Sequence, residues 1–425
     1  ASALDGGADV VVTGRVTDAS VVVGPAIAEF GWGRDDLDQL AGAVVAGHVI
    51  ECGTQATGGN FSGFTNVDMS IPLGFPIAEI SDDGTVVITK HEGTGGAVTV
   101  DTVTAQLVYE VGSAVYLGPD VSTRLDTMTL TQQGPDRVAI TGVTGEPPPE
   151  TTKVCLNAFG GFRNSVEFLL TGLDIPAKAE LIRTQMDTAL AAGVRPDSVE
   201  WQLDRTDVPD PATEAQGTAL LRCHVKSAES GPVGRSFSDA AIQLALASYP
   251  GFSVTRPPAA GTPYGVYRPA YVPQTMVPHV VVSADGTRTD IAPPATVTPI
   301  LDPTRRPSAI PPASGANSDD PPSQNTGSAP LAEGSAPLGE WLGETVRAPL
   351  GRLAYARSGD KGGDANVGVW IPETHPDRDA AYDWLVGFLD EATVRELLPE
   401  AATLDLEIHP LANLKAINIV IHGLL

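Results

Sequence analysis

From residue 285 to about residue 334 the chain is built of Pro, Ser, Ala, Asp and Gly, with few large apolar side chains. Such a segment cannot bury enough surface to offset the entropy lost on ordering it, so it reads as a flexible linker. That stretch decides what the rest can be. It predicts a large body over 1–284, a linker over 285–339 and a small module over 340–425. A length of 425 residues allows two to four domains, and no internal repeat of fixed period is visible.

Charge excludes several partners. Lys and Arg number 26 against 52 Asp and Glu, a formal net charge of −26. A field of that sign repels phosphate backbones and anionic lipid surfaces. The densest basic spot is Arg305-Arg306, inside the proline-rich stretch. We therefore expect no nucleic-acid and no membrane partner, and we read the acidity as a solubility device. Aromatic residues are 5% of the chain, too few for base-stacking platforms. No run of about 18 apolar residues is present to span a bilayer. The cysteines are Cys52, Cys155 and Cys223, an odd and sparse set that suits a reducing cytoplasm better than a disulfide framework. Metal sites look poor, because there is no CxxC, no HExxH and no regular His pair. Cys223 and His224 are adjacent, and neighbours on a strand point to opposite faces.

The apolar run 9–13 reads as a buried strand of parallel type, turned by Gly14. Thr17 or Asp18 can cap the helix that follows, whose apolar face is Val22, Ile27 and Phe30. A second helix starts at Asp35-Asp36, carries Leu37, Leu40, Val44, Val45 and His48 on one face, and ends near Glu51-Cys52-Gly53. Residues 75–88 predict a hairpin turned at Asp82-Asp83-Gly84, 102–111 a helix, and 124–143 paired strands. Further on, 177–192 and 238–248 predict helices, and 219–226 and 277–283 strands. The small module reads as a strand over 352–356, a glycine-rich turn, a strand over 366–371, two helices starting at 378, and strands over 403–409 and 416–422. The fold class expected is an α/β body with a mixed sheet, plus a compact α+β domain.

Four constellations could carry chemistry. Arg15 and Asp18 sit at a strand-to-helix junction, where an anion is favoured; the plain alternative is that Asp18 caps the helix and pairs with Arg15. Glu51 and Cys52 precede a loop containing Gly58 and Gly59. That suggests Glu51 as a general acid or base and Cys52 as a nucleophile, with glycine N–H groups near a ligand. Against Cys52 stands its place at a helix C-terminus, whose negative dipole end disfavours a thiolate. Lys90 and the bend at Gly95-Gly96 could hold an anion or be a plain turn; the spacing is not that of a phosphate-binding P-loop. Arg357, Ser358, Asp360, Lys361 and Gly362 form a cationic glycine-rich bend suited to a phosphate, or to a salt bridge that docks the module on the body.

Several segments in order resemble the acyclic terpene utilisation protein A family. They are ADVVVTGRVTDASVVVGP (8–25), AGHVIECGTQATGGNFSGF (46–64), FPIAEI (75–80), EGTGGAVTVDTVTAQLVYEV (92–111), YLGPDV (116–121) and RLAYARSGDKGGDANVGVWIP (352–372). The resemblance implies a catalytic-type body followed by a ferredoxin-like domain. It implies a role in the breakdown of citronellol- and geraniol-type branched compounds through coenzyme A thioesters, near biotin-dependent acyl-CoA carboxylases. It also implies further strands upstream of Ala1 and a short tail beyond Leu425, so the chain is expected to lack the N-terminal part of its body.

Two functions follow as expectations. One is a cytoplasmic enzyme acting on a branched acyl-CoA or hydroxyacyl-CoA by hydration, elimination or carbon–carbon cleavage. It would need no cofactor besides the thioester substrate, and a homo-oligomer is left open. Glu51 and Asp18 would do the acid–base work. Arg15, Lys90, Arg357 and Lys361 would hold the anionic groups, and the Gly58-Gly59 loop would serve the thioester oxyanion. The other is a non-catalytic partner or scaffold of an acyl-CoA carboxylase pathway. An enzyme should gather these residues around one cleft; a scaffold should scatter them.

Overall fold

The computed structural model describes residues 1–299 and 347–425, with Lys361 described by its backbone alone. From residue 300 onward the expected linker, with Arg305-Arg306, lies outside the described residues. The described residues form two compact units, one holding 1–154, 269–299 and the C-terminal domain, the other 155–268.

In the first unit a single turn, α1 (Ser2–Asp5), precedes α2 (Ser20–Phe30) and α3 (Leu37–Ile50). Helix α3 is the axis of the body: every residue from Leu40 to Val49 is buried. Its tolerance for close neighbours comes from small residues. At Gly47 a Cβ would lie 2.6 Å from the Ala19 carbonyl oxygen, so only glycine lets the 15–19 turn rest on the helix. Around α3 stand β1 (Pro76–Ile80), β2 (Val86–Lys90), α4 (Val100–Leu107), β3 (Val115–Leu117), β4 (Ser122–Arg124), β5 (Thr129–Gly134), β6 (Arg137–Thr141) and β7 (Thr144–Glu146). They form a four-stranded sheet in the order β1-β2-β6-β5 and a three-stranded one in the order β3-β4-β7. All these pairings are antiparallel.

In the second unit β8 (Thr151–Thr171), α5 (Ile175–Ala192), β9 (Ser198–Asp204), β10 (Thr218–Ser227), the turn α6 (Ser230–Val233), α7 (Arg235–Gln243), β11 (Ser253–Val254) and β12 (Thr262–Pro273) follow. The sheet runs β11-β8-β10-β9, with β12 also on β8. Alternation on β10 buries Ala219, Leu221, Cys223 and Val225, which meet Ile182 and Met186 of α5 and Phe237 of α7 in one core. A hairpin of β13 (His279–Val282) and β14 (Arg288–Ile291) comes next and belongs to the first unit.

The C-terminal domain comprises β15 (Tyr355–Lys361), β16 (Asp364–Trp370), α8 (Arg378–Phe388), α9 (Glu391–Leu397), β17 (Leu406–Leu411) and β18 (Ala416–Ile421). Its antiparallel sheet has the order β15-β16-β18-β17. Period-two alternation gives the sheet two apolar faces. Val369, Ile417, Ile419 and Ile421 pack on Tyr382 and Leu385 of α8 and Val394 of α9. Trp370 and Ala416, on the opposite face, belong to the core of the body. That second face is fixed by polar anchors. Trp370 Nε1 donates to Asp101 Oδ1 at 3.2 Å, and Asn413 Nδ2 donates to the carbonyls of Leu125 and Met128 at 2.9 Å each. Asp101 is pushed above its ordinary range by burial, which hydrogen bonds from the Glu373 N–H and from Trp370 Nε1 oppose.

Several expectations are overturned. Residues 9–13 are not a strand: Val10 is 79% and Val12 90% exposed, with no neighbour to pair with among the described residues. Among the described residues the sheets are mostly antiparallel rather than mixed, and the parallel pairings are isolated bridges, Leu73 with Gly95 and Pro149 with Thr298. Asp18 does not cap α2, whose N-cap is Ala19 without a side-chain hydrogen bond. The glycine-rich bend at 357–364 is mostly strand, because β15 continues to Lys361 and only Gly362 and Gly363 turn. Strand β8 and strands β9 and β12 lack the clean alternation that marks β10, and sequence reading passes over them.

Candidate active site

Two helices end at the same place. Helix α3 runs out at Ile50 into Glu51 and Cys52, and α4 runs out at Leu107 into Tyr109 and Glu110. Start and stop of α4 are both specified. Thr99 and Thr102 form a reciprocal capping box at its N-terminus, with bonds of 3.1 and 2.9 Å. At its exit Glu110 takes a left-handed backbone, φ 55°. Helix carbonyl ends carry partial negative charge, so this spot is electronegative before any side chain is counted.

The side chains add to it. Cys52 Sγ donates to Glu51 Oε1 at 2.8 Å. The Cys52 thiol is pushed up to about 12 by burial, then by the Glu51 hydrogen bond, then by the charges of Glu51, Glu110 and Asp18. It is therefore held as a thiol at neutral pH, which tells against Cys52 as a nucleophile. Tyr109 is raised well above the phenol range by burial, by a hydrogen bond with Glu110 and by that residue's charge. Tyr116 is raised too, by burial and then by the charges of Asp18, Glu51 and Glu110. Its ring lies 4.9 Å from that of buried His48. Three carboxylates and three protonated donors thus share one region.

A cation from the C-terminal domain faces them. Arg357 reaches in from β15 and is only 9% exposed. Its guanidinium carbon lies 4.5 Å from the Tyr109 ring centroid, a cation–π stack. Nη1 donates to the Asn60 carbonyl at 2.8 Å and Nη2 to Gln55 Oε1. Nε is buried with no hydrogen-bond partner among the described residues. Most of the fork is thus spent on the protein, so Arg357 acts as a fixed counter-charge rather than a phosphate clamp.

The remaining sequence candidates fall in different places. Asp18 belongs to the group; Arg15 is exposed and no ion pair joins it to Asp18. The N–H groups of Gly58 and Gly59 donate to Gln55 and Thr54, so that loop closes on itself. Those of Gly95 and Gly96 donate to Pro72 and Asp68. Lys90 donates to the Thr94 carbonyl at 2.9 Å and pairs with Asp136 at 3.1 Å, which makes it an internal tie. Ser358 and Asp360 are exposed on β15, and Gly362 takes φ 79° at the hairpin turn. The side chain of Lys361 lies outside the described residues. Sequence reading missed Tyr109, Glu110 and Tyr116. The signal for the first two was a Tyr-Glu pair at the end of a capped helix.

Among the described residues no helix is long and apolar enough to cross a membrane, and no three His, Cys, Asp or Glu side chains group to hold a metal ion. No curated protein and no solved structure shows a significant match to the chain. Residues 1–283 match the profile described as acyclic terpene utilisation family protein AtuA. Residues 348–425, the four-stranded α+β domain that supplies Arg357, match that of the AtuA ferredoxin-like domain. With both profiles matched in order, the chain belongs to the AtuA family of acyclic terpene utilisation, body and ferredoxin-like domain together.

Proposed function

We propose that the chain is an acid–base enzyme that acts on a branched acyl-CoA or hydroxyacyl-CoA in acyclic terpene breakdown. The observation that carries this reading is the meeting of Asp18, Glu51 and Glu110 with protonated Cys52, Tyr109 and Tyr116 around one buried guanidinium. Proton acceptors and proton donors side by side suit hydration or elimination. One carboxylate removes the proton on the carbon next to the thioester carbonyl. The electron pair forms the new carbon–carbon double bond as the β-hydroxyl leaves, and a phenol supplies the proton that makes it water. The phenolate then recovers a proton from the carboxylic acid, and the site is restored. The phosphates of coenzyme A need a second, more basic contact outside this electronegative centre; exposed Arg15 is the residue proposed for it.

A second reading, a non-catalytic partner of an acyl-CoA carboxylase pathway, draws support from the exposed apolar run at Val10 and Val12. Thermal melting separates the two. Coenzyme A and a panel of branched acyl-CoAs at concentrations far above their dissociation constants raise the melting temperature of an enzyme that binds them. A rise that persists in Glu51→Gln and Glu110→Gln while product formation is lost in one of them supports the acid–base site. A flat response to every thioester rejects the enzyme reading in favour of the partner.

A further inference from the structure

The segment that carries Glu110 is held by the C-terminal domain with unusual completeness. Asn366 Oδ1 accepts the Glu110 backbone N–H at 2.9 Å, and Asn366 Nδ2 donates to the Val108 carbonyl at 2.7 Å. The same amide nitrogen donates to Asn418 Oδ1 at 2.9 Å, and Asn418 Nδ2 donates to the Val111 carbonyl at 3.0 Å. Both asparagines are buried, at 1% and 0% exposure. Strand register explains how they meet this segment. Arg357 lies opposite Gly368, Gly359 opposite Asn366, and Gly368 opposite Asn418, all on the face turned to the body. A Cβ at Gly359 would sit 2.8 Å from Glu110 Cγ, and one at Gly368 2.2 Å from Val108 Cγ2.

The backbone so held is one that glutamate rarely adopts. Of the non-glycine residues with positive φ, Asn60, Asp136, Asp174 and Asp210 are Asn or Asp, which tolerate it. Lys415 turns the β17–β18 hairpin. Glu110 is in neither class. Strain held in place by buried partners is characteristic of sites where a side chain must point one way. Glu51, by contrast, leaves its helix with ordinary backbone, φ −65°; each carboxylate meets a neighbouring side chain, Glu51 the Cys52 thiol and Glu110 the Tyr109 phenol.

We propose that Glu110 is the proton-accepting carboxylate of this site, and that Asn366 of the ferredoxin-like domain is the residue that positions it. The proposal rests on the acid–base reading and names its base. Glu110 takes the proton from the carbon beside the thioester carbonyl, and the electron pair delocalises onto the thioester oxygen as an enolate. Asp18, Glu51, Cys52, Tyr109, Tyr116 and Arg357 are the titratable and charged groups around it.

Two readouts test this in the whole chain. The first is exchange of the α-proton of isovaleryl-CoA with deuterated solvent, followed by mass spectrometry. We expect exchange in the parent, a loss of at least about 100-fold in Glu110→Gln, and a partial loss with a shifted pH profile in Asn366→Ala. Exchange that survives Glu110→Gln but not Glu51→Gln makes Glu51 the base and overturns the proposal. The second readout needs no substrate: the rate of Cys52 alkylation by iodoacetamide at pH 9, in a Cys155→Ser background. Removing a facing carboxylate eases thiolate formation, so Glu110→Gln should raise the rate about threefold or more, and Asn366→Ala should raise it too. Cys223 must stay unlabelled, as it does only in a folded chain. An unchanged rate in both variants shows that Glu110 does not face the thiol and rejects the placement. Absence of exchange in the parent rejects the thioester chemistry and the base role with it, while the alkylation rates still decide whether Asn366 places Glu110 at the site.

Discussion

Asn366 accepts a hydrogen bond from the backbone of Glu110 across 256 positions of sequence, and both ends of its amide are used inside the protein. Removing it strands the Glu110 N–H, the Val108 carbonyl and the Asn418 carbonyl oxygen in a dry interface. Each buried polar group left without a partner costs roughly 1–3 kcal/mol. Asn366→Ala should therefore destabilise the chain by about 2–4 kcal/mol in urea denaturation. A change below about 0.5 kcal/mol would show that water replaces the amide there.

Gly368 and Gly387 make a matched pair. A methyl group at Gly368 would meet the Val108 side chain at 2.2 Å, whereas one at Gly387 meets nothing within 4 Å. Gly368→Ala should lower stability by roughly 1–3 kcal/mol through overpacking. Gly387→Ala, inside α8, should be neutral or stabilise by about 0.5–1 kcal/mol. Equal melting temperatures for the two variants contradict the close approach of β16 to Val108.

His422 gives the C-terminal domain a pH dependence. Its Nδ1 meets Asp364 Oδ2 at 3.2 Å and its Nε2 meets Glu407 Oε1 at 3.0 Å. The Asp364 hydrogen bond above all, then the Glu407 bond and both charges, raise its pKa to about 9 against the cost of burial. A raised histidine stabilises fully below its unfolded pKa, near 6.5, and loses that contribution as pH rises through about 9. Asp364 is lowered despite its burial, chiefly by its hydrogen bond with His422, so its share is lost only as pH falls below the carboxylate range. With the ring only about half-buried, solvent screening reduces the effect to the order of 1–2 kcal/mol. His422→Gln should thus cost stability at pH 5.5 and little at pH 9.5; an equal cost at both pH values refutes the ion pairs.

The cysteines should separate by reactivity. Cys155 is exposed, Cys52 is half-buried and raised to about 12, and Cys223 is buried and likewise raised to about 12. A thiol with a pKa of 12 is about 0.01% thiolate at pH 8. Brief iodoacetamide treatment at pH 8 should modify Cys155 first and leave the others intact by peptide mapping. Early labelling of Cys52 would remove the carboxylate wall drawn around it.

Much of the local structure was legible. The hairpin β1–β2 follows from its turn residues, and α5 and β10 from a single buried face; α3 follows from its apolar spacing, although it is buried all round. The site was half legible: Glu51 and Asp18 stood at element ends, where ligand sites gather, and Arg357 stood out as a cation in an acidic chain. Three things could not be read. Residues 9–13 have the composition of a buried strand, but composition does not supply a neighbour. The glycines at 58–59 and 95–96 looked like ligand loops, yet their N–H groups are consumed by the protein, those of Gly58 and Gly59 locally by Gln55 and Thr54 and those of Gly95 and Gly96 by the distant Pro72 and Asp68. Tyr109 and Glu110 gain their meaning from Asn366 and Arg357, which only the fold brings to them. One hint was present in the strand 364–370, where Asn366, Gly368 and Trp370 alternate with Val367 and Val369. A strand that alternates branched apolar residues with a buried amide and a glycine has a face built to lie against another backbone.

The face of β15 and β16 that carries Arg357, Gly359, Asn366 and Gly368 has a consequence for how these two parts can be arranged in a genome. Neither part completes its own surface: the body would expose the 108–111 backbone, and the domain would expose two amides and an aromatic ring meant for burial. Supplied as separate polypeptides, the halves should therefore find one another without the 300–346 connection. Co-expression of 1–299 with 347–425 should yield one complex rather than two independent proteins.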